Sequence, residues 1–351
     1  YKNGDKKMKF DLIIGNPPYQ DKGGSGGNND AAIYQHFVEF AISLNPKYSA
    51  MIIPARWFAA GRENLLGSFR SRFLNSSKIS DLVVYSNASD IFKDVQIEGG
   101  VCYYKYEREG CFKDTNYKYF DDKGEPTTIR RKLNTFDVLI ADPFLESVVK
   151  KIDTQRKTAG VETVDTIISN DTPFGIASNP KTSKKTRTTV YEKPEPSHNT
   201  MLFHIEKGQR KKEYVAKEAI TKNKHDIDKY KVFITGTYGG REKVLSVPIY
   251  APRNSVCSQS YLYAAFDSAA EAKNFLKYVK TKFFRVLVSA MKITQSAPKR
   301  VYRFVPMQDF SNANKDIDWS KPINEIDKVL YNFYGLTSEE IAYIDNKVKG
   351  I

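Results

Sequence analysis

Apolar positions in the first hundred residues alternate between short continuous runs and stripes at helical spacing. Leu12, Ile13 and Ile14 form a continuous run, the pattern of a strand buried on both faces of an α/β sheet. Gly15 then allows a sharp turn, and Pro17 and Pro18 have no N–H with which to continue a ladder. Ile33, Phe37, Phe40, Ala41 and Leu44 recur at helical spacing, with Asp30 placed to cap them and Pro46 past their end. Ser49 to Pro54 reads as a second buried strand. Asn64 to Leu74 reads as a helix with Leu65, Phe69 and Phe73 inward, and Ile79 to Tyr85 as a third strand. Gly99 and Gly100 lead into a fourth, ending near Tyr106. Strands alternating with helices predict a largely parallel, doubly wound α/β sheet.

From Glu107 the pattern changes. Lys, Thr, Asp and Tyr become frequent, and strand-like pieces are short. Phe144 to Ile152 suggests a helix, and Asn179 to Ser197 an exposed ribbon or linker. Lys231 to Ile234 and Val244 to Val247 flank Tyr238-Gly239-Gly240 and read as a hairpin. Ala269 to Ser289 predicts one long helix, with Phe275, Leu276, Val279, Phe283, Val286 and Leu287 on its buried side. Near the end, Thr337 and Glu340 spell a capping box before Ile341 and Ile344.

Charge narrows the partner. The 351 residues carry 55 Lys+Arg against 41 Asp+Glu, a net +14. That balance favours a polyanion, and nucleic acid over a membrane, since no long apolar span stands out. Cys102, Cys111 and Cys257 are few and unpatterned, which suggests a reducing compartment. The four histidines are scattered without metal-ligand spacing, so no metal is expected.

The candidate chemistry lies in Asn16-Pro17-Pro18-Tyr19. This stiff polar loop follows a strand whose carboxyl end is where open α/β sheets place ligands. Asn16 offers an amide, the prolines offer carbonyls in fixed directions, and Tyr19 offers a flat ring.

Asn-Pro-Pro-Tyr after an apolar strand resembles the catalytic motif of adenine-N6 DNA methyltransferases of restriction-modification systems. The resemblance extends through Ile52-Ile53-Pro54-Ala55-Arg56-Trp57-Phe58 and Gly99-Gly100-Val101-Cys102-Tyr103-Tyr104. It resumes in Thr281 to Arg285, Lys292-Ile293-Thr294-Gln295, Tyr302 to Pro306 and Tyr334 to Ile341. It implies the half of a Rossmann-like catalytic domain that handles the target base, over residues 1–150. An α+β target-recognition domain would follow over 151–315, and C-terminal helices over 316–351. It further implies S-adenosylmethionine as methyl donor and double-stranded DNA as partner, in a prokaryotic cytoplasm. A nuclease would be fused upstream or carried by a separate restriction subunit.

An exocyclic adenine amine is a poor nucleophile because its lone pair is delocalised into the ring. It needs acceptors that hold its N–H bonds as the nitrogen becomes tetrahedral, and the Asn16 side-chain oxygen and Pro17 carbonyl suit that task. The base must first leave the duplex, so a second ring is expected opposite Tyr19. The resemblance points to the strand after Gly100. Tyr104 is the expected ring and Tyr103 the next choice, since strand alternation presents only one of them.

In this family the glycine-rich loop and acidic ribose ligand of the donor site precede Asn-Pro-Pro-Tyr. Only nine residues precede Phe10 here. The expectation is a C-terminal portion of a larger enzyme, with an incomplete donor site and no activity alone.

Basic clusters favour DNA contact in the second half: Lys181, Lys184, Lys185 and Arg187; Lys207, Arg210, Lys211 and Lys212; Lys299, Arg300 and Arg303. Lys292, Thr294 and Gln295 are candidate base-edge readers or backbone clamps. Two other readings fit the same motif. One is an RNA or protein amino-methyltransferase using the same loop; the other is a non-catalytic DNA-specificity module.

Overall fold

A computed structural model describes residues 9–21, 31–59, 63–93 (backbone alone at 63–65), 97–183, 187–236 and 244–351. The chain divides into two compact units, residues 1–146 and 147–351.

The first unit is built on one six-stranded sheet. Its strands are β1 (Leu12–Gly15), β2 (Tyr48–Pro54), β3 (Ile79–Tyr85), β4 (Val101–Glu107), β5 (Thr115–Phe120) and β6 (Pro126–Arg131). Their order is β1-β2-β4-β3-β5-β6. β1 runs parallel to β2, and β3 to β5, but β4 is antiparallel to both of its neighbours. The sheet is therefore mixed, not largely parallel as the alternation predicts. Among the described residues no α-helix separates β3 from β4, only a short 3-10 turn at Ala88–Asp90 before Gly99-Gly100, and β4 enters from the carboxyl ends of β2 and β3. Gly100 makes that approach possible. Its φ is +77°, and an added Cβ would lie 2.0 Å from the Tyr85 carbonyl oxygen.

Two helices connect these strands, α1 (Tyr34–Ser43) and α2 (Glu63–Leu74). Phe69 and Phe73 are buried as expected, at 3% and 4% exposure. The predicted α1 stripe holds only in part: Tyr34, Val38 and Ala41 are buried, but Phe37 and Phe40 are exposed. Asp30 lies outside the described residues, as does the Leu65 side chain. β1 departs most from expectation. Leu12 is 55% and Ile14 71% exposed, because among the described residues β1 has β2 as its one neighbour. A run written for burial on two faces stands at a sheet edge.

Burial in this unit gathers on one side of the sheet. Trp57, Phe69, Phe73 and Tyr104 interlock there, with Trp57–Phe73 centroids 4.7 Å apart and Phe73–Tyr104 centroids 5.2 Å apart. Arg131 is buried with Glu146, stacks over Tyr117 at 4.7 Å and donates to the Ile140 carbonyl.

Helix α3 (Pro143–Thr158) spans the boundary between the units. Among the described residues the second unit then holds two three-stranded sheets and four further α-helices. One sheet orders β11 (Ser255–Cys257), β7 (Thr200–Glu206) and β8 (Gln209–Val215). The other orders β10 (Ile249–Ala251), β9 (Tyr230–Thr235) and β12 (Tyr261–Phe266). Phe174, Leu202, Val215, Phe233, Val256 and Tyr261 form their shared core. The expected hairpin after β9 exists with a different second arm: β9 pairs with Ile249–Ala251, while 244–248 form no strand. Its turn residues, Tyr238 to Gly240, are outside the described residues.

The expected long helix is two, α4 (Ala269–Lys280) and α5 (Lys282–Ser289). Thr281 divides them with ψ at 148°. Its buried hydroxyl donates to the Tyr278 carbonyl and accepts from the Phe284 N–H, ending one helix and capping the next. Asp327, on α6 (Ile323–Phe333), adds acceptors for the N–H groups of Lys282 and Phe283 at 3.1 and 2.9 Å. The last helix, α7 (Ser338–Lys347), begins with the Thr337–Glu340 capping box.

Candidate active site

Asn16 to Tyr19 leave β1 at its carboxyl end, one residue past the last β1–β2 pair, Gly15–Met51. Met51 in turn pairs with Tyr104, so the loop begins level with the middle of β4. The loop's side chains divide. Asn16 and Pro18 are exposed, Pro17 is buried, and Tyr19 is half-buried. Among the described residues nothing hydrogen-bonds the Asn16 amide. The far side of the loop is held by the backbone: the Tyr19 carbonyl accepts from the Ile33 N–H at 3.3 Å, and Gln20 bridges Ala32. The strand and the start of α1 thus fix the loop while its amide stays open to solvent.

A buried cluster lies beneath Tyr19 that the sequence did not single out. It comprises Cys102, Tyr34 and Trp57, all at 1% exposure or less. Burial, with Cys102 nearby, raises the Tyr19 and Tyr34 phenols above their usual range. Burial pushes the Cys102 thiol up to about 12, so it is an inert thiol here. Among the described residues the buried Tyr19 hydroxyl has no hydrogen-bond partner, while the Trp57 indole lies by the Cys102 thiol and the Trp57 backbone by the Tyr34 hydroxyl.

The structure places Tyr104, the expected second ring, in the core. It is fully buried, its ring set against Phe73 and its hydroxyl 3.4 Å from Ser49 Oγ. In that position both its ring and its hydroxyl are covered. Alternation turns Tyr103 to the opposite face, where it is 41% exposed. That face also carries Leu12, Ile14 and Ile52.

The basic residues of the second unit are also sorted by the structure. Lys292, Thr294 and Gln295 follow α5 directly, and Gln295 is exposed while the other two are partly covered. Lys299 and Arg300 lie in a short turn of helix before Arg303, whose guanidinium covers the Phe304 ring at 5.3 Å. Lys181 is engaged with Glu213 at 2.8 Å and with Glu206 at 3.7 Å. Arg210 donates to the Val247 carbonyl at 2.7 Å. Lys184 and Lys185 are outside the described residues. Among the described residues no group of His, Cys, Asp and Glu could hold a metal ion, and no helix is long and apolar enough to cross a membrane.

Comparison with known proteins now adds to this geometry. Residues 1–92 match the Eco57I restriction-modification methylase family. The match includes the Asn-Pro-Pro-Tyr loop, α1, β2, α2 and β3. Over 157 residues the chain is 38% identical to an uncharacterized adenine-specific methylase of Mycoplasma pneumoniae, across 42% of this chain and 37% of that protein. The chain therefore spans well under half the length of that relative. Its fold is similar to MmeI, a type IIL restriction-modification enzyme solved in complex with DNA. The TM-score is 0.52 at 10% identity, covering 96% of this chain and 56% of MmeI.

Proposed function

We propose that this chain is the target-base and DNA-recognition portion of an adenine-N6 DNA methyltransferase of a restriction-modification system. The observation that carries this reading is an Asn-Pro-Pro-Tyr loop on a strand end, its Asn16 amide exposed and without a hydrogen-bond partner. The match of residues 1–92 to a methylase family supports it.

In this reading a flipped adenine lies over the loop. The Asn16 side-chain oxygen and the Pro17 carbonyl accept its two N6–H bonds. As the N6–CH3 bond would form and the donor's S–CH3 bond break to leave a neutral thioether, the nitrogen becomes positive and tetrahedral, both acceptors bind it more tightly than in the ground state, and one of its N–H protons is then lost to solvent. Tyr19 stacks on one side of the base. Tyr103, not Tyr104, supplies a ring on the sheet face that remains accessible. S-adenosylmethionine supplies the methyl group on a sulfonium. Among the described residues no glycine-rich loop joins a strand to a helix, and the donor is assigned to none of them. The exposed edge of β1, with Leu12 and Ile14 outward, fits a further strand and a covering layer from the donor half. The basic second unit supplies the DNA surface.

The test is methylation of plasmid DNA by the intact protein that contains this chain, using radiolabelled S-adenosylmethionine. The labelled nucleoside is identified as N6-methyladenine by mass spectrometry. Asn16→Ala should lower the rate at least about a hundredfold, as loss of a transition-state acceptor does, while DNA binding stays intact. Label on cytosine, or wild-type rates in Asn16→Ala, overturns the reading.

A further inference from the structure

β7 and β8 form a hairpin of seven facing pairs, from Thr200–Val215 to Glu206–Gln209. Its two-residue turn is Lys207-Gly208, with φ at +50° and +78°. Two consecutive positive φ values make the tight turn that matches strand twist, so Lys207 stands at the apex of a ribbon and not in a loose loop. Its root is fixed in the core by Leu202 and Val215, both at 0% exposure. A buried network braces one face: Glu213 lies between Lys181 Nζ at 2.8 Å and His204 Nε2 at 2.5 Å. Arg210 braces the other through the Val247 carbonyl.

Beyond the root, β8 is open. Gln209, Arg210, Lys211 and Lys212 are all exposed, although successive residues of a strand face opposite ways. Lys211 shares the face of His204, and Lys212 that of Phe203. β11 pairs with β7 only as far as Phe203, so the apex extends past the sheet. Among the described residues Lys207, Lys211 and Lys212 make no ion pair. A rigid two-stranded ribbon with cations at its tip and on both faces matches a DNA major groove. That groove admits such a ribbon and has a phosphate backbone on each side.

We infer that the β7–β8 ribbon enters the DNA major groove, with Lys207, Lys211 and Lys212 on phosphates and Gln209 toward the base edges. This rests on the DNA reading above and goes beyond it by placing the contact. The plainer role for lysines on an edge strand is to keep other strands from pairing with it, and the test separates the two.

Binding of the full chain to a fluorescent duplex of mixed sequence is measured by anisotropy between about 50 and 200 mM salt, where phosphate contacts dominate. The triple variant Lys207→Ala, Lys211→Ala, Lys212→Ala should flatten the log–log salt slope by about 2 to 3, near 0.9 per lost phosphate contact. A control triple, Lys222→Ala, Lys224→Ala, Lys315→Ala, removes the same charge from exposed sites elsewhere and should leave the slope unchanged. Circular dichroism confirms the fold, and a Lys→Gln triple replaces any alanine triple that fails to fold. An unchanged slope in the ribbon variant, or an equal change in the control, overturns the inference while the DNA reading stands. Self-association of the ribbon variant with unchanged DNA affinity assigns the lysines to edge protection and overturns it too. Failure of the unaltered chain to bind any duplex overturns the DNA reading and this inference together.

Discussion

Tyr103 and Tyr104 are neighbours on β4 and face opposite sides of the sheet: Tyr104 is fully buried against Phe73, and Tyr103 is 41% exposed. On the proposed function, the pair separates a stability role from a functional one. Tyr104→Ala should destabilise the first unit by about 3–5 kcal/mol, as other buried aromatic truncations do. Tyr103→Ala should cost under about 1 kcal/mol but, on the proposed function, remove one stacking partner of the extruded base. Base–aromatic stacking is worth about 1–3 kcal/mol, so methyl transfer by the intact protein should fall roughly ten- to a hundredfold. Urea unfolding and initial rates measure the two effects. Wild-type rates in Tyr103→Ala would remove it from the site.

The strand, the loop and the order of elements to residue 106 were legible because a buried apolar run, a Pro-Pro stop and a helical stripe each leave a local signal. Three things were not. The antiparallel entry of β4 depends on Gly100 packing against the Tyr85 carbonyl, a contact between residues far apart in sequence. The choice between Tyr103 and Tyr104 depends on which face carries α2, and alternation alone does not say. The break at Thr281 was hidden because apolar periodicity continues through it; a buried threonine bridging two helix ends carries no periodic signal. Lys207-Gly208 carries a turn signal inside a basic run, and its positive φ values come from the hairpin it closes.

Ile14 gives a test of the sheet edge. At 71% exposure it should tolerate Ile14→Asp in the 351-residue chain, with a stability change within about 0.5 kcal/mol. If, as proposed, a donor half of the intact protein covers this face, that carboxylate is buried and the cost should rise to several kcal/mol or appear as insolubility. Equal, small effects in both contexts, measured by thermal unfolding, would mean that nothing covers this face.

Asp327 gives the second unit a pH dependence with a defined sign. Burial raises its carboxyl from 3.8 to about 6, against the opposing pull of the Phe283 and Lys282 N–H groups and the Lys282 charge. The folded chain therefore keeps a proton that the unfolded chain releases as pH rises past about 4. Its contribution is fully present below the unfolded value and is lost as pH rises through about 6, a change on the order of 3 kcal/mol at 1.36 kcal/mol per pKa unit. Asp327→Asn keeps a side-chain oxygen for the Phe283 N–H and cannot titrate. Relative to the unaltered chain, this variant should gain stability steadily between about pH 4 and 7, then hold level. Urea unfolding at half-unit pH intervals measures that difference. A flat difference across the range would show that the Asp327 carboxylate is solvated as well in the folded chain as in the unfolded one.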